Sequence, residues 1–158
     1  MKSLSFTGNR SAPKTSELMW RLHQAIEDYI KKGVTTFNCG CSWGGDLFFM
    51  QSINKHKETY PNLKLVGYIP HKGQEEKWTE ENKKLYQELL KTCDEIVQVS
   101  NEPYTERCML FRNIRLVENC DYLLALSDGR KNSGCWQTIN LAVENKKVKE
   151  VYIIKYEK

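Results

Sequence analysis

The chain alternates between two patterns of apolar and polar residues, one typical of β-strands and one typical of amphipathic α-helices. Short apolar runs that end in polar or glycine-containing segments predict strands, because they are too short to form helices of ordinary length. The predicted strands are the opening segment before Thr7, Val34–Asn38, Leu63–Pro70, Asp94–Ser100, Tyr122–Leu126 and Val151–Ile154. Apolar residues at helical spacing predict the helices. These are Glu17–Lys32, Leu47–Lys57, a polar helix that follows Pro70 and ends at about Thr92, a helix carrying Arg107 and Arg115, and Cys135–Asn145.

This order of elements predicts the fold class. Alternation of strand and helix with short loops is typical of an α/β fold in three layers, with a mostly parallel central sheet. Tyr122–Leu126 is almost continuously apolar, as expected of a central strand that helices cover on both faces. The chain has no internal repeat, linker or low-complexity segment, so we expect one domain over residues 1–158.

Composition adds few constraints. Of 158 residues, 40% are hydrophobic and 28% are charged, and no apolar stretch approaches the roughly 18 residues of a membrane span. We therefore expect no membrane partner and a cytoplasmic location. The net charge of +4 favours an anionic partner only weakly. The six cysteines form no Cys-x-x-Cys pair, so we expect reduced thiols, no metal site and no cofactor.

Three glycine-containing loops follow predicted strands and precede predicted helices. They contain Thr7 to Arg10, Gly40 to Asp46, and Ser127 to Gly134. The carboxyl ends of neighbouring parallel strands face one crevice, where backbone N–H groups at helix starts bind anions. The Arg10 guanidinium suits a phosphate. The glycine spacing differs from G-x-G-x-x-G, so it does not predict a dinucleotide fingerprint.

Several of these residues have a structural interpretation beside the functional one. Arg10 is either a phosphate ligand or a solvated loop cation. Asp46 is either a helix N-cap or an acceptor for ribose hydroxyls. Trp43 either fills the core or offers a stacking face. Gln74 and Trp78 are four residues apart, so on a helix they would project together.

Taken together, these segments resemble the SLOG superfamily of Rossmann-like domains, and more closely its YpsA-like and YoqJ-like branch, DUF1273. The matching pieces are Ser5–Arg10, the Gly40–Asp46 loop, the signature Pro70…Gln74…Trp78, the pair Arg112-Asn113, and the Ser127–Thr138 loop and helix start. One departure is Asn9, where many relatives carry histidine.

The resemblance implies a pocket at the carboxyl ends of the strands that holds a nucleotide or a nucleotide-derived ligand. It also implies self-association into a homo-oligomer. The residues expected to bind the ligand are Thr7, Gly8, Asn9, Arg10, Gly40, Trp43, Gly44, Gly45, Asp46, Pro70, Gln74, Trp78, Arg112, Asn113, Ser127, Asp128, Gly129, Ser133, Gly134, Cys135 and Trp136. We further expect a side chain at Gly8 to block the ligand while sparing the fold.

The superfamily also contains enzymes and DNA-binding proteins, so two alternatives stay open. LOG-type enzymes cleave N-glycosidic bonds with the glutamate of a P-G-G-x-G-T-x-x-E loop, and Thr138 stands at that position here. We therefore predict no catalytic residue, although a LOG-like or deoxyribosyltransferase-like enzyme would use another carboxylate, Asp46 or Glu106. A DprA-like protein would bind single-stranded nucleic acid, which the modest net charge makes the less favoured partner. The residues considered for that role are Arg107, Arg112, Arg115, Arg130 and Lys131.

Overall fold

The computed structural model describes residues 2–157, which form one six-stranded sheet with five helices. The strands are β1 Lys2–Gly8, β2 Val34–Cys39, β3 Lys64–Ile69, β4 Glu95–Gln98, β5 Tyr122–Ser127 and β6 Glu150–Lys155. The helices are α1 Ser16–Lys31, α2 Gly45–Lys57, α3 Glu80–Leu90, α4 Cys108–Glu118 and α5 Gly134–Glu144. Each strand is followed by a helix until β6, which confirms the predicted α/β alternation.

All strand pairs are parallel, and their order in the sheet is β4-β3-β2-β1-β5-β6. The chain builds outward from β1 to β4, then crosses back to place β5 on the other side of β1. In open α/β sheets, ligands bind outside the carboxyl ends of the strands at such a reversal. The topology therefore directs attention to the ends of β1 and β5.

Helices cover the sheet on both faces and bury its central strands. The larger core joins β1 and β2 to α1 and α2, and the rings of Phe6 and Phe49 stack there with centroids 4.4 Å apart. On the opposite face α4 packs beside α5, with Leu123 and Ile139 in the core there. This gives the expected three layers, with β1 and β5 fixed on both sides.

Most predicted boundaries differ from the structure by one or two residues, and the start of α3 differs more. Residues 71–78 form turns, and α3 begins only at Glu80 after the cap Thr79, whose side chain accepts from the backbone N–H of Asn82. Gly73 has a φ of +75°, which a helix excludes, so the prediction that Gln74 and Trp78 share a helix face is wrong.

The starts of two helices also shift. The N-cap of α2 is Gly44, so Asp46 lies inside the first turn and does not cap the helix. The cap of α5 is Ser133, which accepts from the N–H of Trp136. That helix therefore includes Gly134, one residue earlier than predicted. Across residues 2–157, no helix combines the length and apolar character needed to cross a bilayer.

Candidate ligand-binding site

A cavity of about 430 Å³ opens at the carboxyl ends of β1 and β5, where the strand order reverses. Side chains and backbone come from the β1 loop, the start of α2, the inner face of α4 and the start of α5. Ten of the predicted ligand residues line it: Thr7, Gly8, Asn9, Arg10, Asp46, Arg112, Asn113, Ser133, Gly134 and Cys135. The predicted loops thus meet at one place.

Asp46 is the most unusual group in the cavity wall, because it is a carboxylate that is only 5% exposed. Its Oδ2 accepts from the backbone N–H of Ser42 at 3.0 Å, while its buried Oδ1 has no hydrogen-bond partner among the described residues. Burial raises the pKa of Asp46 to about 6, against the opposing effects of Arg112, the Ser42 N–H, Arg10 and the Gly8 N–H. Oδ1 is therefore an acceptor that makes no hydrogen bond within the described residues, and the nearby Gly8 N–H only partly offsets the cost of burying the charge.

Arg10 lies at the cavity rim and is held by two contacts. Its Nε donates to the Ser42 hydroxyl at 3.0 Å, and its guanidinium carbon lies 4.0 Å from the centroid of the Trp43 ring. Burial and the neighbouring Arg112 lower the pKa of Arg10, while Asp46 raises it. The stacking fixes the guanidinium plane, and its terminal nitrogens have no partner within residues 2–157.

Arg112 is deeper, at 8% exposure. Its Nη1 donates to the carbonyl of Gly40 and its Nε donates to Oδ1 of Asn113, both at 2.8 Å. The Asn113 amide then donates to Gln137 of α5 at 3.0 Å. This chain of bonds ties α4 to the β2 loop and to α5, and Nη2 of Arg112 is left with no hydrogen-bond partner in the described chain.

Asn9 lines the cavity, but its main contacts are within the protein. Its Oδ1 accepts from the N–H of Asp128 at 2.8 Å and from the hydroxyl of Tyr156 at 3.4 Å. Its carbonyl accepts from the N–H of Gly45 at 3.1 Å. Asn9 therefore joins the loops after β1, β5 and β6 to the start of α2, and acts on the site by holding these loops in place.

Two helices begin at this cavity. α2 contributes Asp46 from its first turn, and α5 contributes Ser133, Gly134 and Cys135. The N–H groups of a helix's first turn are free of intrahelical partners and carry partial positive charge, so they favour an anion. Arg10, Arg112 and Arg130 also line the cavity, and its electrostatics therefore favour an anionic ligand.

The other predicted residues lie outside the cavity lining, and several support it from behind. A Cβ at Gly40 would overlap the Arg112 guanidinium, and one at Gly44 would overlap the backbone of Arg10. A Cβ at Gly45 would lie 3.0 Å from the Cα of Gly8. These three glycines thus allow parts of the protein to approach each other, where the sequence suggested approach to a ligand.

The predicted aromatic and signature residues also lie elsewhere. Trp43 packs edge-on against Trp78, which packs in turn on Tyr86, and Trp136 packs beside the core of α5. Gln74 donates to the carbonyl of Cys41 at 3.3 Å. The remaining predicted residues outside the lining are Pro70, Ser127, Asp128 and Gly129. The Ser127 hydroxyl accepts from Gly129, and Asp128 pairs with Arg130.

Five lining residues were absent from the predicted ligand set: Ser42, Tyr104, Met109, Arg130 and Gln137. Met109 precedes Arg112 by three residues, so the two share a helix face, and this spacing was a usable signal. Gln137 follows Gly134 by three residues in α5, so these two residues also share a helix face. The sequence favours Arg130 only as a nucleic-acid contact. Ser42 lies inside the predicted Gly40–Asp46 loop, and nothing in the sequence singles out Tyr104.

Of the residues considered for glycosidic cleavage, only Asp46 lines the cavity. Thr138 is fully buried and its hydroxyl donates to the carbonyl of Gly134 at 3.0 Å. Glu106 is exposed and does not line the cavity. Asp46 is the one carboxylate among the described lining residues. Residues 2–157 contain no group of three or more His, Cys, Asp or Glu side chains placed to hold a metal ion.

Comparison with known proteins gives matches in sequence. The YpsA family model, described as the YspA SLOG family, matches residues 5–157. The UPF0398 protein of Bacillus velezensis is 33% identical over 142 residues, covering 81% of this chain and 76% of that protein. The UPF0398 protein of Bacillus pumilus is 33% identical over 114 residues, covering 72% of this chain but only 59% of that protein. The corresponding protein of Halalkalibacterium halodurans is 31% identical, and the match spans 58% of its length.

Two solved structures share the fold. One is DNA processing protein A from Helicobacter pylori, described for its single-stranded DNA binding mode, with a TM-score of 0.66, 16% identity and coverage of 99% of this chain and 66% of that one. The other is the structural genomics target TM1055, with a TM-score of 0.56, 16% identity and coverage of 90% and 68%. At this identity the likeness concerns the fold alone.

Proposed function

Since this chain belongs to the YspA SLOG family, we propose that it binds a nucleotide or nucleotide-derived small molecule in the cavity at the ends of β1 and β5. One observation carries this proposal. The cavity holds a buried carboxylate oxygen without a partner, Oδ1 of Asp46, in the same space as three arginines and the start of α5. A ligand that satisfies both features must offer hydroxyl donors and anionic oxygens together, as ribose phosphates do.

The phosphate is expected at the start of α5, between the helix N-terminus and the arginines. Gly134 exposes the first-turn backbone there, because nothing beyond its chain neighbours and its own helix backbone lies within 4 Å of the position that a Cβ would occupy. Arg112 retains Nη2 and Arg10 retains its terminal nitrogens for the ligand. Hydrogen bonds from charged donors to phosphate are worth about 1.5–3 kcal/mol each, so these residues are the main source of affinity.

The ribose is expected at Asp46. Leaving a buried carboxylate oxygen without a donor costs about 1–3 kcal/mol or more, and a ligand hydroxyl would recover that free energy on binding. The Ser42 N–H already holds Oδ2, so the orientation of the carboxylate is fixed before the ligand arrives. The cavity volume lies within the roughly 300–1,000 Å³ range of small-molecule sites.

We favour binding over cleavage of the ligand. Glycoside hydrolysis commonly uses two carboxyl groups about 5–9.5 Å apart, whereas Asp46 is the single carboxylate among the described lining residues. Thr138 is buried and already donates to Gly134, so it offers neither charge nor access.

Titration calorimetry with adenosine, AMP, ADP and ADP-ribose tests this proposal, followed by chromatography of the ligand recovered after denaturation. We expect phosphate-bearing compounds to bind and adenosine to bind far more weakly, with every ligand recovered intact. Arg10→Ala should weaken phosphate binding roughly tenfold or more, as loss of a charged hydrogen bond implies. Arg21 of α1 is half-buried and does not line the cavity, so Arg21→Ala provides the control variant.

Equal affinity for adenosine and its phosphates would contradict the phosphate assignment. Release of free base at an ordinary enzymatic rate, on the order of 1 s⁻¹, would replace binding by catalysis. The variant Asp46→Asn would then identify whether the buried carboxylate performs it.

A second candidate, single-stranded nucleic acid, is favoured by a separate surface observation. Tyr104, Arg107, Phe111 and Arg115 are exposed, and the last three recur every four residues along one face of α4. Aromatic rings that stack on bases beside cations that bind phosphates are typical of single-strand binding. The structurally similar protein from Helicobacter pylori is described as binding single-stranded DNA.

Fluorescence anisotropy of a labelled oligo-dT at two salt concentrations separates the two candidates. Single-strand binding through this face would weaken with salt by a slope of about −0.7 per phosphate contacted, and Phe111→Ala would reduce it. We expect weak binding that is insensitive to Phe111→Ala, because Glu106 and Glu118 are also exposed on and beside α4. Tight, salt-dependent binding lost in Phe111→Ala would favour the second candidate.

A further inference from the structure

Two thiols lie together beside Gly67, in the middle of β3. A Cβ at Gly67 of β3 would lie 2.8 Å from Sγ of Cys41 and 3.4 Å from Sγ of Cys93. The two sulfurs therefore flank the same small space, which the missing side chain of Gly67 leaves open. Cys41 follows β2, and Cys93 lies between α3 and β4, so residues 52 positions apart in the chain are brought into contact.

The two thiols differ in access and in charge. Cys41 is fully buried, whereas Cys93 is partly exposed. The neighbouring thiols of Cys39 and Cys93 and then burial raise the pKa of Cys41. The contact with Cys41 lowers the pKa of Cys93 against partial burial, and Lys57 adds to the lowering. This is the asymmetry of an attacking thiol and a resolving thiol, since the thiolate is the reactive form.

Cys41 also lies in the loop that leads from β2 to Asp46. It adopts a φ of +59°, a left-handed conformation that is uncommon for residues other than glycine. Its carbonyl accepts from Gln74, and the next residue, Ser42, donates its N–H to Asp46 and accepts from Arg10. A change at Cys41 is therefore transmitted over one residue to two ligand-cavity side chains.

We propose that Cys93 and Cys41 form a redox modification site, in which a hydroperoxide converts the two thiols into a disulfide that shifts the Ser42–Asp46 loop. Cytosolic disulfides in mesophilic organisms are usually transient or redox-sensing, and the partial exposure of Cys93 admits a small oxidant to an otherwise closed pair. The other thiol near Cys41, Cys39, is completely buried.

The chemistry balances in two steps. The Cys93 thiolate attacks one oxygen of hydrogen peroxide, the O–O bond breaks, and the released hydroxide takes up a proton as water while Cys93 becomes a sulfenic acid. The Cys41 sulfur then attacks Sγ of Cys93, the S–O bond breaks, and hydroxide leaves with the Cys41 proton as a second water. Two thiols lose two electrons in total, and the peroxide gains them.

Disulfide formation draws Cys41 toward Cys93, because an S–S bond of about 2.05 Å replaces a contact between separate thiols. The Ser42 N–H is then pulled from Asp46, and the loop becomes less protected. A loss of ligand affinity on oxidation rests on the proposed function, whereas the disulfide and the loop change do not. The test below therefore uses no ligand.

The experiment treats the whole protein with hydrogen peroxide and then identifies linked peptides by mass spectrometry without reduction. We expect a loss of 2 Da and one linkage between Cys41 and Cys93, reversed by dithiothreitol. Hydrogen–deuterium exchange over residues 40–46 should rise at least severalfold in the oxidised form and return on reduction. The linkage should disappear in Cys93→Ser and persist in the control Cys120→Ser, whose thiol donates to the carbonyl of Val117 away from the pair.

Three results would overturn the proposal. They are linkage of Cys39 to Cys41, oxidation of Cys93 to sulfinic acid without linkage, and a Cys41–Cys93 disulfide that leaves exchange over residues 40–46 unchanged. Cys93→Ser changes a partly exposed residue, so it keeps the test usable if Cys41→Ser fails to fold. Gly67→Ala supplies an independent check, because its methyl group would separate the sulfurs and slow linkage.

Discussion

The ionised Asp46 side chain destabilises the unliganded protein, because its carboxylate is almost entirely removed from water. The Arg112 and Arg10 charges and two backbone N–H groups favour the ionised form, yet burial outweighs them and the pKa is raised to about 6. In an unfolded chain an aspartate titrates near 4. The folded protein therefore binds this proton more tightly than the unfolded chain does, and the ionised carboxylate lowers stability at neutral pH.

The sign of the pH dependence follows from linkage. The stability contributed by Asp46 is fully present below about pH 4 and is lost as the pH rises through about 6, amounting to roughly 3 kcal/mol. We expect Asp46→Asn to raise the free energy of unfolding by about 1–3 kcal/mol at pH 8, because the amide is neutral. Its advantage over the parent should shrink as the pH falls from 7 to 4. Urea unfolding at several pH values measures this difference.

The matched control is Asp28→Asn in α1, because the Asp28 carboxylate is exposed to water. This variant removes a charge that is not buried in the folded protein. The account would be contradicted if the difference in the free energy of unfolding between the parent and Asp46→Asn did not change with pH. The same variant should bind nucleotide less well, since an amide nitrogen would face the ligand hydroxyl donor. A more stable variant with weaker binding would identify Asp46 as a residue kept for function.

Gly8 shows a limit of residue-level reasoning from sequence. A Cβ there would lie 2.9 Å from the Phe6 ring and 3.0 Å from the Cα of Gly45. The expectation that a side chain at Gly8 spares the fold is therefore wrong, because the ring belongs to the core and Gly45 begins α2. Arg10→Ala is the cleaner probe of the site, since Arg10 is exposed and held by one hydrogen bond and one ring contact.

At the scale of elements, α4 reaches the cavity through Met109, Arg112 and Asn113. Their spacing of three and four residues places them on one helix face. The position of that face depends on Gly40, whose carbonyl accepts from Arg112 and whose missing side chain makes room for the guanidinium. The position of α4, in the second half of the chain, thus depends on Gly40 in the first half.

This gives a prediction for Gly40→Ala. The methyl group would displace Arg112, so we expect the free energy of unfolding to fall by about 1–3 kcal/mol, the usual cost of overpacking. Nucleotide affinity should fall with it, because Nη2 of Arg112 would leave the cavity. Thermal unfolding and calorimetry of the same samples measure both effects.

The matched control is Gly134→Ala. Gly134 also lies in the cavity wall, but nothing beyond its chain neighbours and its own helix backbone lies within 4 Å of its Cβ position. Alanine is favoured in a helix by up to about 1 kcal/mol over glycine. It should leave stability equal or slightly higher. Similar destabilisation by both substitutions would show that Gly40 does not seat Arg112.

The elements themselves were largely predictable from the sequence, because hydrophobic periodicity records which face of each element is buried. The exception is residues 71–78, where polar and acidic residues are compatible with a helix but Gly73 takes a positive φ and Thr79 caps α3 later. The orientation of Trp43 was not predictable either. Its ring face is taken by Arg10 and its edge contacts Trp78, and such pairings depend on segments distant in sequence.

At the scale of the whole molecule, strand order decides where the site lies. Order β4-β3-β2-β1-β5-β6 brings the first and last glycine-containing loops together at the β1–β5 crevice. The family match over residues 5–157 confirms the SLOG resemblance drawn from those loops. Sequence located the loops because parallel strands end at one edge, but it did not separate residues that line the cavity from those that support it, since that distinction depends on packing behind the loops.

The most direct test of the central claim is a ¹H–¹⁵N NMR titration of the protein with ADP-ribose or the tightest nucleotide from the calorimetric series. We expect the largest shift changes in three segments, Thr7–Arg10, Ser42–Asp46 and Ser133–Gln137, and their loss in Arg112→Met. Each of these three segments contributes residues to the cavity lining. Shifts confined to the groove between α1 and α2, around Trp20 and Lys55, or saturation without any change in the three segments, would contradict the proposed site.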